Sequence, residues 1–180
     1  VPTNAEAGAD AIIKKMAEAA LELIKSENIS EKEVVSIGIG FPGAVDSEKG
    51  ICILTSNLPF KNTDVSNIFK KYTDIKVKLD NDANCAALGE AVAGSAKECN
   101  TAIAVTLGTG VGGGIIIDKK IYSGFNSAGG ELGHMVTHKN GRQCNCGRKG
   151  CFETYASATA LINDTKEAAK GDPDSIIWQI

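Results

Sequence analysis

Apolar side chains recur three and four positions apart near the start of the chain. Ile12, Ile13, Met16, Ala20, Leu23 and Ile24 form one stripe, which predicts a helix over residues 3–26; Thr3 followed by Glu6 has capping-box spacing at its beginning. The pattern then changes. Val34-Val35-Ser36-Ile37-Gly38-Ile39 predicts a buried strand ended by Phe41-Pro42-Gly43, and residues 51–54 a second strand. Residues 65–72 predict a helix. Alternation of Val77 and Leu79 with polar neighbours predicts a short strand over 76–79, and residues 82–92 return to helical composition.

A new block starts at Thr101, with a strand over 101–107, a glycine-rich turn over 108–114 and a strand over 115–117. Asp118-Lys119-Lys120 turns the chain into another strand at Ile121. Residues 123–151 are irregular and too long for a simple connection, and a last helix covers about 158–170. No internal repeat is evident. The plan is α/β in two sub-regions, 1–97 and 98–180.

Composition narrows the function classes. The 180 residues carry 19 basic and 22 acidic side chains, a net charge of −3, which argues against nucleic-acid binding by bulk electrostatics and against a polybasic membrane tether. No apolar run approaches the roughly 20 residues that span a bilayer, and no charged-then-apolar signal opens the chain. A soluble protein with no nucleic-acid or membrane partner is expected. With 43% hydrophobic but only 5% aromatic residues, the core should be mostly aliphatic.

Six cysteines sharpen the picture. Cys52, Cys85 and Cys99 stand singly and read as reduced, packed thiols. Even spacing and an extracellular address, the marks of a disulfide framework, are missing, so a cytoplasmic compartment is expected. Cys144, Cys146 and Cys151 cluster beside His134. Three thiolates and one imidazole make a closed tetrahedral set that suits a structural zinc and leaves no open position for catalysis. Gly147 and Gly150 let the backbone fold back so that the ligands converge. The alternatives are reactive or disulfide-forming cysteines in a loop, and His138 as the imidazole.

Three further groups carry candidate chemistry. Gly108-Thr109-Gly110-Val111-Gly112-Gly113-Gly114 follows an apolar strand, where backbone N–H groups and the Thr109 hydroxyl suit phosphate oxygens; a plain glycine hairpin is the alternative. Asp80-Asn81-Asp82-Ala83-Asn84 ends a strand and begins a helix, where α/β sheets place ligands. One carboxylate there suits a general base, with Asn81 orienting substrate, against the alternative that Asp82 only caps the helix. Glu131 and Glu153 would flank a polar pocket beside His134, against the alternative of solvated surface glutamates. Lys139, Arg142, Arg148 and Lys149 around the cysteines would also suit a zinc-ribbon nucleic-acid module, which the whole-chain charge disfavours.

Leu79-Asp80-Asn81-Asp82-Ala83-Asn84 through Gly89-Glu90, the glycine run 107–114, Gly130-Glu131-Leu132-Gly133-His134 and Cys144-Asn145-Cys146-Gly147-Arg148-Lys149-Gly150-Cys151-Phe152-Glu153 occur in an order and spacing that resembles the ROK family of sugar kinases and sugar-responsive repressors. Within that family the chain looks most like the bacterial glucokinases. The resemblance covers about residues 34–160. It implies an actin-like, ribonuclease-H-like ATPase fold of two domains with an interdomain sugar cleft, present in part: the remainder of a small domain over 1–97 and the first part of a larger one over 98–180. It further implies Asp82 as the base that deprotonates the 6-hydroxyl of glucose, with Asn81, Glu131, His134 and Glu153 on sugar hydroxyls and Gly43 and Asn57 lining the site. Gly108, Thr109, Gly110 and Gly112 would contact ATP phosphates, with magnesium, and His134, Cys144, Cys146 and Cys151 would hold zinc.

Family kinases open with a strand and turn of the Asp-x-Gly-Gly-Thr type, which nothing before Val34 resembles. The chain is therefore expected to be a piece of a longer kinase with its ATP site incomplete. The alternative is a sugar-sensing repressor of the same family whose DNA-binding segment lies outside the chain. By family analogy a homodimer or homotetramer is expected.

Overall fold

The computed structural model describes residues 2–55 and 57–179. The chain falls into two compact units, Val1–Cys85 and Ala86–Ile180.

In the first unit the opening apolar stripe forms helix α1 over Ala9–Ser26, burying Ile12, Ile13 and Ala17. The predicted start at residue 3 does not hold. Gly8 takes φ 85°, a conformation only glycine adopts readily, and it separates a 3-10 turn at Ala5–Ala7 from α1. Thr3 and Glu6 therefore make no capping box. One forms instead at Ser30, whose N–H donates to Glu33 Oε2 at 2.9 Å.

Strand β1 (Ile37–Phe41) begins three residues later than the apolar run, leaving Val35 90% exposed. It then leads into β2 (Gly43–Asp46) and β3 (Ile51–Thr55). After β4 (Lys61–Asp64) come helix α2 (Val65–Phe69) and β5 (Val77–Asn81). β1 pairs in parallel with β5, from Ile37 opposite Val77 to Phe41 opposite Asn81. β2, β3 and β4 form an antiparallel sheet. β2 and β4 escaped the pattern because Gly-Ala-Val-Asp and Lys-Asn-Thr-Asp carry no apolar alternation; their pairing with β3 makes them strands. The core collects Ile12, Ile13, Phe41, Val45, Cys52, Phe60, Val65, Phe69 and Leu79. It is mostly aliphatic, as composition suggested, yet it also holds three of the five phenylalanines, with Phe41 and Phe60 edge to face at 5.0 Å. Of the three single cysteines only Cys52 is packed; Cys85 and Cys99 are exposed.

Helix α3 (Asp82–Ala93) follows β5 directly. In the second unit β6 (Ala102–Leu107), β7 (Val111–Ile117) and β8 (Lys120–Ile121) form an antiparallel sheet in that order. Ala87 and Ala91 of α3 pack with Ile116, Ala102 and Ala104. Glycines 112–114 belong to β7, so the turn shrinks from the predicted 108–114 to Gly108-Thr109-Gly110. Asp118 and Lys119, both at positive φ, turn β7 into β8. Residues 123–151 contain only a 3-10 turn at Leu132–His134 and two isolated bridges, Val136 to Cys151 and Gln143 to Lys149. Helices α4 (Glu153–Ala156) and α5 (Ala158–Ala169) follow, with the Ser157 hydroxyl accepting from Ala160 N–H at the start of α5. Among the described residues no helix is long and apolar enough to cross a membrane.

Candidate functional site

Residues 123–151 have few apolar side chains to order them, yet they converge on one point. Gly147 N–H donates to Cys144 O at 3.0 Å and Cys144 N–H to Arg148 O at 2.9 Å, closing a tight turn that Gly147 permits at φ 90°. The Val136–Cys151 bridge and the bond from Phe152 N–H to Met135 O lay Cys151 beside the segment that follows the 3-10 turn carrying His134. Gly150, at φ 80°, leaves no room for a side chain: a Cβ would lie 1.7 Å from His138 O.

The ligand atoms of His134, Cys144, Cys146 and Cys151 consequently lie within 4.8 Å of one another. His134 Nδ1 is 3.6 Å from Cys144 Sγ, and Cys146 Sγ is 3.6 Å from Cys151 Sγ. Sulfurs at about 2.3 Å from a tetrahedral zinc stand about 3.8 Å apart, so the donor set fits that ion. A disulfide does not account for the cluster, since a bonded pair sits near 2.05 Å and all six cysteines are free. His138 is not the imidazole: its ring stacks on Tyr155 at 4.1 Å, with Nδ1 3.0 Å from Thr137 Oγ1. The thiols are unequal. The Arg148 backbone N–H is the main cause that brings Cys146 down to about 6, whereas burial foremost pushes Cys151 up to about 11.

Around the cluster, Glu131 Oε2 lies 3.9 Å from His134 Nε2. Glu153 is half-buried rather than solvated: Oε1 lies 3.9 Å from Cys144 Sγ, and Oε2 accepts from Val111 N–H at 3.0 Å. This carboxylate thus joins the cysteine segment to the start of β7. Gly133 makes the same junction possible, because a Cβ there would lie 2.1 Å from Val111 O. Gly133→Ala should therefore cost about 3 kcal/mol, the upper end for overpacking. Gly89→Ala, with open space around it, should be tolerated in the same denaturation experiment.

The tip of the β6–β7 hairpin is tied to the start of α5. Gly108 O accepts from Ala158 N–H at 2.8 Å, and Thr109 O from the Thr159 hydroxyl at 2.7 Å. Gly108 N–H is used within the turn, on Gly110 O. Among the described residues, the Thr109 and Gly110 N–H groups have no acceptor, which leaves two backbone donors at the tip. Gly112 lies in β7 opposite Thr106. Ala158 and Thr159 stand at the start of the predicted helix over about 158–170 with no role assigned there; the N-cap residue type at Ser157 is the local signal that marks that start.

In the first unit the β5–α3 turn divides its duties. Asn81 Oδ1 caps the helix, accepting from Ala83 N–H at 2.9 Å and Asn84 N–H at 3.1 Å. Its Nδ2 donates to Gly43 O at 3.1 Å. Asp82 is the first helical residue, with Oδ1 accepting from Ala83 N–H at 2.9 Å. Gly43, Asn81 and Asp82 are thereby brought together, whereas Asn57 stands exposed in the β3–β4 connection.

A family model described as the ROK family matches residues 3–178. The chain belongs to the ROK family. A glucokinase of Thermotoga maritima is 38% identical over 179 residues, covering 99% of this chain and 55% of its own length. A xylose repressor of Bacillus spizizenii is 38% identical over 136 residues, covering 74% of this chain and 35% of the repressor. Among solved structures, a ROK family glucokinase of Streptomyces griseus in complex with glucose and AMPPNP superposes with a TM-score of 0.80 at 32% identity, covering 98% of this chain and 54% of that one. The chain spans about half the length of the glucokinases it matches. Its α/β structure is that of the ROK fold over part of its length, and the His134, Cys144, Cys146 and Cys151 set corresponds to the zinc site typical of ROK proteins.

Proposed function

We propose that this ROK chain is part of an ATP-dependent hexose kinase that converts glucose to glucose 6-phosphate. The observation that carries the reading is the division of labour at the β5–α3 turn. Asn81 caps the helix, and Asp82 Oδ2 has no partner among the described residues. A free carboxylate oxygen at the start of a helix is placed to take a proton from a hydroxyl. As the 6-hydroxyl oxygen bonds to the γ-phosphorus and ADP departs, that proton passes to Asp82. Asn81, Glu131, His134 and Glu153 hold sugar hydroxyls, with Gly43 and Asn57 lining the site. Thr109 and Gly110, with Gly108 and Gly112, receive ATP phosphates whose charge magnesium partly neutralises.

Zinc, when bound to His134, Cys144, Cys146 and Cys151, would order residues 123–151, its charge being offset by the three thiolates. His134 Nδ1 faces Cys144, which leaves Nε2 for a sugar hydroxyl. Residues 1–97 then belong to the smaller domain and 98–180 to the larger. Six free thiols suit a cytoplasmic setting, and a homo-oligomer is the assembly expected by family analogy. A sugar-sensing repressor is the second reading, favoured by the match to the Bacillus xylose repressor.

The experiment is a phosphorylation assay of the full-length protein with Mg-ATP across glucose, fructose, mannose, N-acetylglucosamine and N-acetylmannosamine, with sugar binding followed by calorimetry. Turnover with glucose preferred is the expected result. Sugar binding without turnover overturns the kinase reading in favour of the repressor.

A further inference from the structure

We propose that Asp80 and Asn84 are positioning residues that fix where the Asp82 carboxylate stands; the inference rests on the reading of Asp82 as the base. Asp80 Oδ1 accepts two hydrogen bonds at once, from Asn81 N–H at 2.7 Å and from Asn84 Nδ2 at 2.9 Å. One carboxylate oxygen therefore grips the residue before Asp82 and the residue two after it. From the other side, strand β1 runs so close that a Cβ on Gly40 would lie 3.2 Å from Asp82 Cα. Asn81 completes the frame, holding the 83 and 84 N–H groups with its oxygen and the Gly43 carbonyl with its nitrogen.

The orientation of Asn84 is informative. An ionised carboxylate only accepts, so the amide must present its nitrogen to Asp80. Asn84 is 6% exposed, and this orientation leaves its Oδ1 buried with no partner among the described residues. An apolar residue of similar volume would avoid that cost. What the asparagine provides in return is the bond to Asp80, which ties the first turn of α3 to the end of β5. A base must sit within hydrogen-bond reach of its proton, and a displacement of about 1 Å lowers rate by roughly 100-fold.

The test measures kcat, KM and calorimetric sugar affinity in the full-length protein for Asn84→Asp, Asn84→Ala, the double change Asp80→Asn with Asn84→Asp, and Asp82→Asn. Asn84→Asp sets two carboxylates against each other, and kcat should fall roughly 100-fold with sugar affinity kept. Adding Asp80→Asn removes the charge repulsion, but a single atom at the Asp80 Oδ1 position cannot both accept from Asn81 N–H and donate to residue 84, so the double change should recover only part of the loss. Asn84→Ala, which removes the donor without adding charge, should lower kcat in the same way while the protein still melts cooperatively. Wild-type kcat in both Asn84 variants, with Asp82→Asn inactive, overturns the positioning role and leaves the base intact. A loss that the double change does nothing to relieve, or one matched by lost sugar affinity, also overturns it. Turnover retained by Asp82→Asn removes the base itself, and the inference falls with it.

Discussion

Cys144→Ser should empty the metal site and loosen residues 123–151 while the core of the first unit stays folded. The segment has one short 3-10 turn and two isolated bridges to order it, so the four converging ligands are its main constraint. A serine hydroxyl is a poor replacement for a thiolate at a soft site. The loss of metal affinity should exceed the roughly 10–100-fold that follows removal of a group merely hydrogen-bonded to a ligand. Metal content per chain, by elemental analysis, should fall from about one toward zero, and limited proteolysis should cut within 123–151. Sugar affinity should fall with it, because His134 and Glu153 both touch Cys144. Cys99→Ser, at an exposed thiol, and His138→Ala, at a ring held by Tyr155, should both retain the metal. Unchanged metal content in Cys144→Ser would show that the ligand set is wrong. Acid should act in the same direction: thiolates and neutral imidazole bind metal, protons compete for the same atoms, and retention is therefore lost as pH falls.

Asp82→Asn should lower kcat by about 10²–10⁴, the range for loss of a general base, with sugar affinity within a few-fold of wild type. The amide is nearly the same size, and its oxygen can still accept from Ala83 N–H as Asp82 Oδ1 does. Asn81 supplies the helix cap, so the β5–α3 turn does not depend on the charge of Asp82. An amide nitrogen at the position of Oδ2 donates rather than accepts and cannot take the proton. Steady-state kinetics of the full-length protein with Mg-ATP, beside sugar calorimetry, separates the two effects. Turnover close to wild type would remove Asp82 from the base role.

Much of this was legible in the chain itself, and the exceptions have physical causes. The helix over residues 9–26 was visible because three buried apolar side chains share one face, but its break at Gly8 depends on a φ that glycine allows and does not require. β4 was invisible because Lys61 to Asp64 has no apolar pattern; it is a strand by virtue of its bonds to β3. β6 turns Ala102 and Ala104 toward α3 and leaves Ile103, Val105 and Leu107 outward, against the rule that the largest apolar residues face in. The metal ligands were readable because three cysteines stand within eight residues with glycines between them. The sequence points to His134 as the fourth ligand with His138 as the alternative, and the structure decides for His134, because His138 is held by Tyr155 from seventeen residues further on.

The sequence by itself determined the α/β succession, the family motifs and the chemical character of the metal site, because each is carried by residues close together along the chain. Tertiary structure decided the roles of single side chains. Asn81 rather than Asp82 caps α3, Glu153 reaches back forty-two residues to Val111, and α5 grips the glycine hairpin through Ala158 and Thr159. A hydrogen bond between distant segments depends on where the backbone brings them, and local pattern carries no record of that approach.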